Sequence, residues 1–414
     1  MQLLIKNIRQ LVTVNSGGKR FRRGSEMRDL GIMEHADVLI EDGLFRWIGP
    51  TGTLTGSIDD DADVIEATDY VALPGFVDSH THLLFAGSRE NEFAMRVEGK
   101  TYQEIADAGG GIISTVSATR KATKKELKKL ASKRLDGMMQ LGTTTVEIKS
   151  GYGLDADSEI KILEAINELS EEHFMTIVPT FLGAHAIPAE FRSNPQGYVD
   201  EICERMLPYI AKRKLAKFCD VFCETGYFSI EQARQILRKA QSFGMQSKLH
   251  ADQLSQLGAS MLGAELKAAS VDHLEQIDDV GIDALKQSDS IAVVLPGVSF
   301  FLHYDYPPAR KIIEAGIPLA IASNFNPGSC TSFSMPLMMT IACTQMGLTP
   351  EEAITASTLN AAAAVGMSDS VGSVEVGKQA DIVLFDVTDC KQIPYYFGGN
   401  LVTKIIKKGT ILEF

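Results

Sequence analysis

Short apolar stretches alternate with amphipathic stretches of helical period from residue 73 to about residue 330. The strand-like runs end near His82, Tyr152, His185, Thr225, Gln253, His273, Gly297 and Pro327. Between them, apolar residues recur at helical spacing, for example in 123–138, 229–243 and 305–315. Eight strand–helix units in one run predict an α/β fold, a (β/α)8 TIM-like barrel whose sites lie at the carboxyl ends of its strands.

Both ends of the chain lack this alternation and are rich in strand-like sequence. Residues 3–14 and 64–67 predict strands, and 37–50 predicts a hairpin around the favoured turn pair Asp42-Gly43. After an alanine-rich helical stretch, strand-like runs return at 371–377, 380–385 and 402–409. We expect residues 1–70 and 368–414 to build one small β-sandwich domain beside a barrel of residues 71–367.

The first predicted barrel strand ends in a pair of histidines. The apolar run from Val71 to Val77 predicts a buried strand, and His80 and His82 follow it. Side chains two residues apart in extended backbone point the same way, so both imidazoles can reach one divalent ion. Taken alone, such a pair is also compatible with ordinary core or surface histidines.

Because a barrel brings all its strand ends to one mouth, the polar residues at those ends can be considered together. They are His80, His82, Lys149, Tyr152, His185, His250, His273, Asn324 and Asn326. Of the 8 histidines in the chain, only His35, His173 and His303 lie elsewhere. This clustering predicts a metal site. A carbamylated Lys149 bridging two ions is the less favoured alternative, because the carboxylate companions of a two-metal site are missing from the strand ends.

Composition limits the partners of such a site. The net charge of −13 disfavours nucleic acid, and it means that an anionic substrate needs a local arginine. No apolar run approaches the ~20 residues of a membrane span, and the N-terminus lacks a signal-peptide layout. We therefore expect a cytoplasmic protein with no membrane partner. The six cysteines lack metal-type spacing and predict buried free thiols.

Two other runs have simple structural explanations. Gly109-Gly110-Gly111 lacks the Gly-Lys-Ser/Thr of a phosphate loop and is predicted to be a mobile loop near the mouth. The lysines of 124–129 follow a capping box, Thr123 to Glu126, and predict the solvated face of a helix.

The motif Pro-Gly-Phe-Val-Asp-x-His-x-His at 74–82, with His250 and His273 at later strand ends, resembles the metal-dependent amidohydrolase superfamily. Within it, the segments 80–89, 109–116, 147–154, 183–188, 250–252 and 325–329 are similar to those of a ring-opening hydrolase of histidine degradation. The resemblance spans nearly the whole chain. It implies hydrolysis of a small anionic heterocycle, 4-imidazolone-5-propanoate, to N-formimidoyl-L-glutamate, by attack of an activated water on the ring carbonyl.

The resemblance also implies a role for each matching residue. His80, His82 and His250, together with Asn324, would bind one Zn²⁺ or Fe³⁺ per subunit. Arg89 would hold the propionate, since a guanidinium grips a carboxylate through two parallel bonds. The further substrate contacts would be Tyr152, His185, Gln253, Asn326, Gly328 and Ser329. A homodimer is implied in the same way.

At two positions the sequence departs from the family's pattern. The family normally has Asp where this chain has Asn324, and some relatives have Glu where it has Gln253. An amide oxygen can coordinate a metal but cannot accept a proton, so among the catalytic positions His273 and His185 remain as candidate bases. We expect weaker metal binding and a turnover that is lowered or depends on His273. Another cyclic-amide hydrolase or deaminase of the superfamily, or a non-catalytic descendant that binds ligand, are the alternatives.

Overall fold

The structure is a computed structural model that describes residues 2–56, 58–100, 104 and 109–413. Its N-terminal strands are β1 (Gln2–Val12), β2 (Ile32–Glu41), β3 (Leu44–Pro50), β4 (Asp63–Glu66) and β5 (Val71–Pro74). Asp42 and Gly43 both have positive φ, as the tight turn between β2 and β3 requires, so the predicted hairpin is present.

Eight parallel strands follow and form a nearly closed barrel. They are β6 (Phe76–Asp78), β7 (Thr143–Lys149), β8 (Thr176–Ala184), β9 (Phe218–Cys223), β10 (Gln246–Ala251), β11 (Ser270–His273), β12 (Ile291–Val294) and β13 (Leu319–Ile321). Each pairs with the next along the chain. The sequence-based prediction of eight barrel strands is therefore confirmed.

The last three strands return to the N-terminal ones. β14 (Ile382–Phe385), β15 (Val402–Lys407) and β16 (Thr410–Leu412) extend a mixed sheet in the order β16-β15-β14-β5-β1-β2-β3, with β4 paired to β1. Both termini thus build one small β domain, as predicted, although its strands form a single hydrogen-bonded sheet. This domain has an apolar core of its own, which includes Ile5, Val38 and Ile382.

Helices separate the barrel strands and cover them. The α-helices of the described residues are Glu90–Val97, Ile112–Lys121, Lys124–Gln140, Ala156–Glu172, Pro195–Glu201, Leu207–Arg213, Ile230–Ser242, Ala259–Glu265, Asp279–Lys286, Pro296–Leu302, Ala309–Glu314, Met335–Met346, Pro350–Ala356, Leu359–Ala364 and Gln392–Tyr395. Short 3-10 turns cover Gly24–Arg28 and Ala189–Phe191, and Ile202–Met206 is π-helical. The predicted capping box at Thr123 starts Lys124–Gln140.

Two segments differ from the sequence-based expectation. The apolar run from Val71 is divided between the two sheets, because β5 pairs with β1 and β14 whereas β6 pairs with β7. Gly75 lies at the change, and a Cβ there would come within 2.2 Å of the Thr144 hydroxyl oxygen. Residues 371–377 form bends and a turn instead of a strand, and three of their amides donate to separate segments, at Met367, Thr13 and Phe45.

The barrel is joined at its mouth by the segments that follow its first and last strands. The amide of Asn324 donates to the carbonyl of His80 at 3.0 Å, and the amide of His82 donates to the carbonyl of Phe325 at 2.9 Å. Thr81 and Phe325 accordingly form a parallel bridge. This seam places the two histidines of the first strand directly beside Asn324.

Candidate metal centre and active site

Three histidines from two strand ends converge inside the barrel mouth. One ligand atom from each of His80, His82 and His250 lies within 4.8 Å of the others. The Nε2 atoms of His82 and His250 are 3.4 Å apart, and all three side chains are buried. The structure thus brings together the three nitrogen donors that the sequence motif predicts, at a spacing suited to one metal ion.

Buried carboxylates orient two of these rings. Asp272 Oδ2 lies 2.6 Å from His80 Nδ1, and Asp220 Oδ2 lies 3.0 Å from His250 Nδ1. A carboxylate at Nδ1 holds the proton there and leaves the Nε2 lone pair free for a metal. Neither aspartate was predicted from the sequence. Both lie inside apolar strands. For Asp272, the one signal in the sequence is the adjacent His273, which is predicted to lie at the mouth.

The protonation of the three rings also suits metal binding. Burial lowers the pKa of His80 and of His82 well below 6.5, with further lowering from neighbouring cationic groups. Burial lowers the pKa of His250 to about 3, although Asp220 acts in the opposite direction. All three imidazoles are therefore neutral at pH 7, which is the form that coordinates a metal.

Behind the histidines lies a fully buried network of charged side chains. Lys149 Nζ is 2.7 Å from Asp220 and 2.9 Å from Glu147, and Lys248 Nζ is 2.9 Å from the other oxygen of Glu147. Burial alone lowers the pKa of Lys149, but the nearby carboxylates outweigh it and raise that pKa. The Lys149 ammonium is thus bound by carboxylates, which gives it a role as a structural cation.

Asn324 lies beside the histidines, across the backbone seam from His80. Its Oδ1 is buried and has no hydrogen-bond partner among the described residues, as is also true of His80 Nε2. Its Nδ2 lies 3.3 Å from Ser329 Oγ, and its backbone has a φ of 52°. Three imidazole nitrogens and an unpaired amide oxygen fit a metal ion, because coordination would satisfy buried lone pairs that otherwise have no partner.

The site opens into a cavity of about 370 Å³. Its walls include every residue that the sequence predicts for the site except His80 and Lys149, which are both fully buried. These wall residues are His82, Arg89, Tyr152, His185, His250, Gln253, His273, Asn324, Asn326, Gly328 and Ser329. Wall residues that the sequence did not point to include Glu92, Arg96, Phe222 and Tyr304.

Arg89, which is predicted to bind the carboxylate of the substrate, is already paired with a carboxylate of this chain. Its Nε donates to Glu92 Oε1 at 2.8 Å and its Nη2 donates to Glu92 Oε2 at 2.6 Å. Glu92 Oε1 also accepts the amide hydrogen of Gly111 at 2.8 Å. The triple-glycine segment therefore touches the mouth through Gly111.

The amide of Asn326 stabilises the loop that follows the last barrel strand. Its Oδ1 accepts the amide hydrogens of Gly328 at 2.7 Å and Ser329 at 2.8 Å. Its Nδ2 donates to the carbonyl of Asn324 and to Ser329 Oγ. The side chain of Asn326 is thus fully used inside the loop, which fixes Asn324, Gly328 and Ser329 relative to one another.

His185 and His273 differ in the group that holds the Nδ1 atom. His185 Nδ1 is 3.0 Å from the carbonyl of Gly151, and its ring stacks on His82 with centroids 4.9 Å apart. Burial lowers the pKa of His185 to about 4. His273 Nδ1 instead lies 3.3 Å from Glu275 Oε1. The two rings thus differ at Nδ1, where His273 faces a carboxylate and His185 faces a carbonyl.

The chain belongs to the amidohydrolase family, whose sequence model matches residues 71–412. That assignment agrees with the barrel, the strand-end histidines and the β domain built from both termini. More narrowly, the chain is 46% identical over 411 residues to the imidazolonepropionase of Alkaliphilus oremlandii, covering 99% of this chain and 97% of that one. It is also 46% identical over 411 residues to the imidazolonepropionase of Parabacteroides distasonis, covering 99% and 98%.

Solved structures share the architecture at much lower identity. An adenosine deaminase from Xanthomonas campestris, solved with bound zinc, matches with a TM-score of 0.74 at 18% identity, over 99% of this chain and 92% of that one. This similarity establishes the fold only. Among the residues that the structure describes, no helix has the length and apolar character needed to cross a membrane.

Proposed function

We propose that the protein is an imidazolonepropionase, which opens the ring of 4-imidazolone-5-propanoate by hydrolysis to give N-formimidoyl-L-glutamate. The observation that carries the proposal is the convergence of His80, His82 and His250, all neutral and buried, at the floor of a cavity whose wall holds arginines. A metal at the floor suits the hydrolysis of a ring amide, and arginines on the wall suit a substrate with a carboxylate tail. The full-length similarity to imidazolonepropionases supports the same reaction.

The proposed cofactor is one Zn²⁺ or Fe³⁺ ion, held by the three histidines and by Asn324 Oδ1. When bound, such an ion polarises the ring carbonyl and lowers the pKa of a coordinated water towards ~7. Asp272 and Asp220 keep the Nε2 lone pairs of His80 and His250 available for it. Asn324 adds an oxygen but no charge, and it takes no proton.

We assign the proton transfer to His273. Glu275 at its Nδ1 leaves Nε2 as the acceptor and stabilises the imidazolium that forms. The proton then passes to the leaving ring nitrogen. His185 has a pKa of about 4 and a carbonyl partner, so we assign it to binding the ring, together with Tyr152 and Gln253. Asn326 acts indirectly, by holding Gly328 and Ser329 in the wall.

A variant pair tests the assignment of the base. His273→Ala removes the acceptor, and we expect kcat to fall ~10²–10⁴-fold while the metal content stays unchanged, as positioned general bases usually contribute that much. Glu275→Gln keeps a hydrogen bond but removes the charge, so a smaller fall is expected. Full activity in His273→Ala, measured at equal metal content, contradicts the assignment.

The reaction itself is tested by the loss of imidazolone absorbance when metal-loaded protein is mixed with freshly generated substrate. Chelator-treated protein is the control. Turnover by the loaded protein only is the expected result, and formimidoylglutamate should accumulate in equal amount. If neither this protein nor its Asn324→Asp variant acts, the proposal of this substrate fails.

A second candidate function rests on one observation. Asn324 stands where the family normally has Asp, and Gln253 stands where some relatives have Glu, which favours a non-catalytic protein that still binds the ligand. Tight substrate binding without turnover, and turnover regained in Asn324→Asp, is the outcome that would identify it.

We also propose a cytoplasmic location, a homodimer, and the domain limits 1–70, 71–367 and 368–414. The resemblance to the family supports the first two. The pairing of β14 with β5 supports a β domain that contains both termini. Size-exclusion chromatography with light scattering tests the dimer.

A further inference from the structure

Two arginines meet at the wall of the cavity, and Glu92 is the only carboxylate among the described residues of that wall. Arg89 is bonded twice to Glu92, and Arg96 Nη2 donates to the carbonyl of Gly328 at 3.1 Å. Arg89 also packs closely on Gly328, where a Cβ would come within 2.1 Å of its Nη1. Gly328 therefore brings both guanidinium groups to one place.

Within the described part of this wall, Arg89, Arg96 and Glu92 together carry one net positive charge. Glu92 neutralises one guanidinium, and it is almost completely buried, at 8% exposure. Burial and the nearby charge of Arg89 lower the pKa of Arg96, whereas Glu92 raises it. Tyr304 also raises the pKa of Arg96, and burial is the largest of these effects. A second carboxylate would balance the cluster.

The geometry leaves Arg96 better able than Arg89 to accept that carboxylate. Two of the Arg89 donor atoms, Nε and Nη2, are committed to Glu92. Within the described ranges, Arg96 donates to a carbonyl, and its guanidinium lies 5.2 Å from the centroid of the Phe301 ring. The ring face orients the guanidinium without using its N–H groups.

We propose that Arg96 is a second carboxylate-binding residue of this site, which selects substrates with an acidic tail, while Glu92 holds Arg89 in place. This inference deepens the proposed function and rests on it for the identity of the ring. It differs from the prediction made from the sequence, in which Arg89 alone holds the propionate.

The test compares two ligands that differ only in charge. Zinc-loaded protein is titrated calorimetrically with 3-(imidazol-4-yl)propanoate and with its primary amide. For Arg96→Gln we expect at least tenfold weaker binding of the propanoate and less than a threefold change for the amide, since a charge-assisted pair contributes about that factor. Arg96→Lys keeps the charge but not the planar fork, so it should recover part of the loss.

Arg192→Gln is the matched control, because Arg192 is exposed and its loss changes the net charge equally. The proposal is overturned if Arg96→Gln weakens both ligands equally, if it weakens neither, or if the parent protein does not prefer the propanoate. Equal weakening would mean that Arg96 only supports the loop at Gly328.

Turnover of the imidazolone, measured on the same samples, separates this inference from the proposed function. A protein without turnover that still shows an Arg96-dependent preference for the propanoate refutes the reaction and supports the carboxylate site. A protein with turnover and no such preference refutes the site and supports the reaction. In an active protein, Arg96→Gln should raise KM at least tenfold and change kcat less.

Discussion

Replacing Asn324 by aspartate should tighten metal binding and at the same time weaken the metal-free fold. Among the described residues, the side chain at position 324 hydrogen-bonds to Ser329 Oγ, and it is buried. Burying a charge without adequate partners costs several kcal/mol. In the loaded protein that same charge would lie at coordination distance from a divalent cation.

The size of the effect follows from two opposing terms. Two unit charges 4 Å apart attract by about 4 kcal/mol at an effective dielectric constant near 20, and a divalent ion doubles this. In the metal-free protein a buried carboxyl relieves its desolvation by binding a proton, and the release of that proton on metal binding offsets much of the gain. We expect a net gain of about 1.5–3 kcal/mol, which corresponds to a ten- to hundredfold lower Kd for zinc.

Competition with a chromophoric zinc chelator measures the Kd, and thermal unfolding with and without zinc measures the stability. We expect Asn324→Asp to lower the Tm of the metal-free protein and to increase the rise in Tm that zinc produces. Gln253→Glu is the control, because it adds the same charge to the wall of the same cavity but outside the proposed donor set. Equal zinc affinity in the parent and in Asn324→Asp would refute the assignment of Asn324 as a ligand.

Three further predictions concern the rest of the site. Below pH 6.5 the metal-free protein should lose stability, because burial lowers the pKa of His250 to about 3 and of His185 to about 4, so each binds its proton only after unfolding. Urea unfolding between pH 7 and pH 5 should show this loss. In His185→Asn, the change of the unfolding free energy with pH should be smaller by up to about 1.4 kcal/mol per pH unit. Lys149→Met leaves buried carboxylates without their cation and should destabilise the protein by ~3–5 kcal/mol in urea unfolding, whereas a loss below ~1 kcal/mol would contradict the network. Gly328→Ala should displace Arg89 and raise KM with little change in Tm, and an unchanged KM would show that the wall tolerates the methyl group.

The sequence predicts those residues of the site that lie at the ends of predicted strands. Period-two alternation places His80 and His82 on one side of the backbone, and strand ends collect His250 and His273 at the same mouth. The eight barrel strands follow from the same alternation of apolar and amphipathic stretches.

Other parts of the site depend on pairings between distant strands and could not be predicted in this way. Asp220 and Asp272 look like isolated polar residues inside strands, and only the assembled barrel places them behind the histidine rings. Lys149 pairs with Glu147, two residues earlier on β7, and with Asp220 on β9, two strands away, so its role depends on the assembled barrel. The bond from Glu92 to Arg89 spans only three residues, but many such pairs on helices face solvent, so its position at the cavity had no signal in the sequence.

The backbone seam beside the metal centre has a consequence for folding kinetics. It joins His80 to Asn324, about 240 residues apart along the chain. Closing a loop of that length costs on the order of 5 kcal/mol of chain entropy, so these contacts should form late and open early. A metal ion with ligands on both sides of the seam would stabilise these contacts, which close the barrel last. Amide hydrogen exchange at His82 and Asn324 should therefore slow sharply on metal loading, while exchange in the middle of β9 should change little.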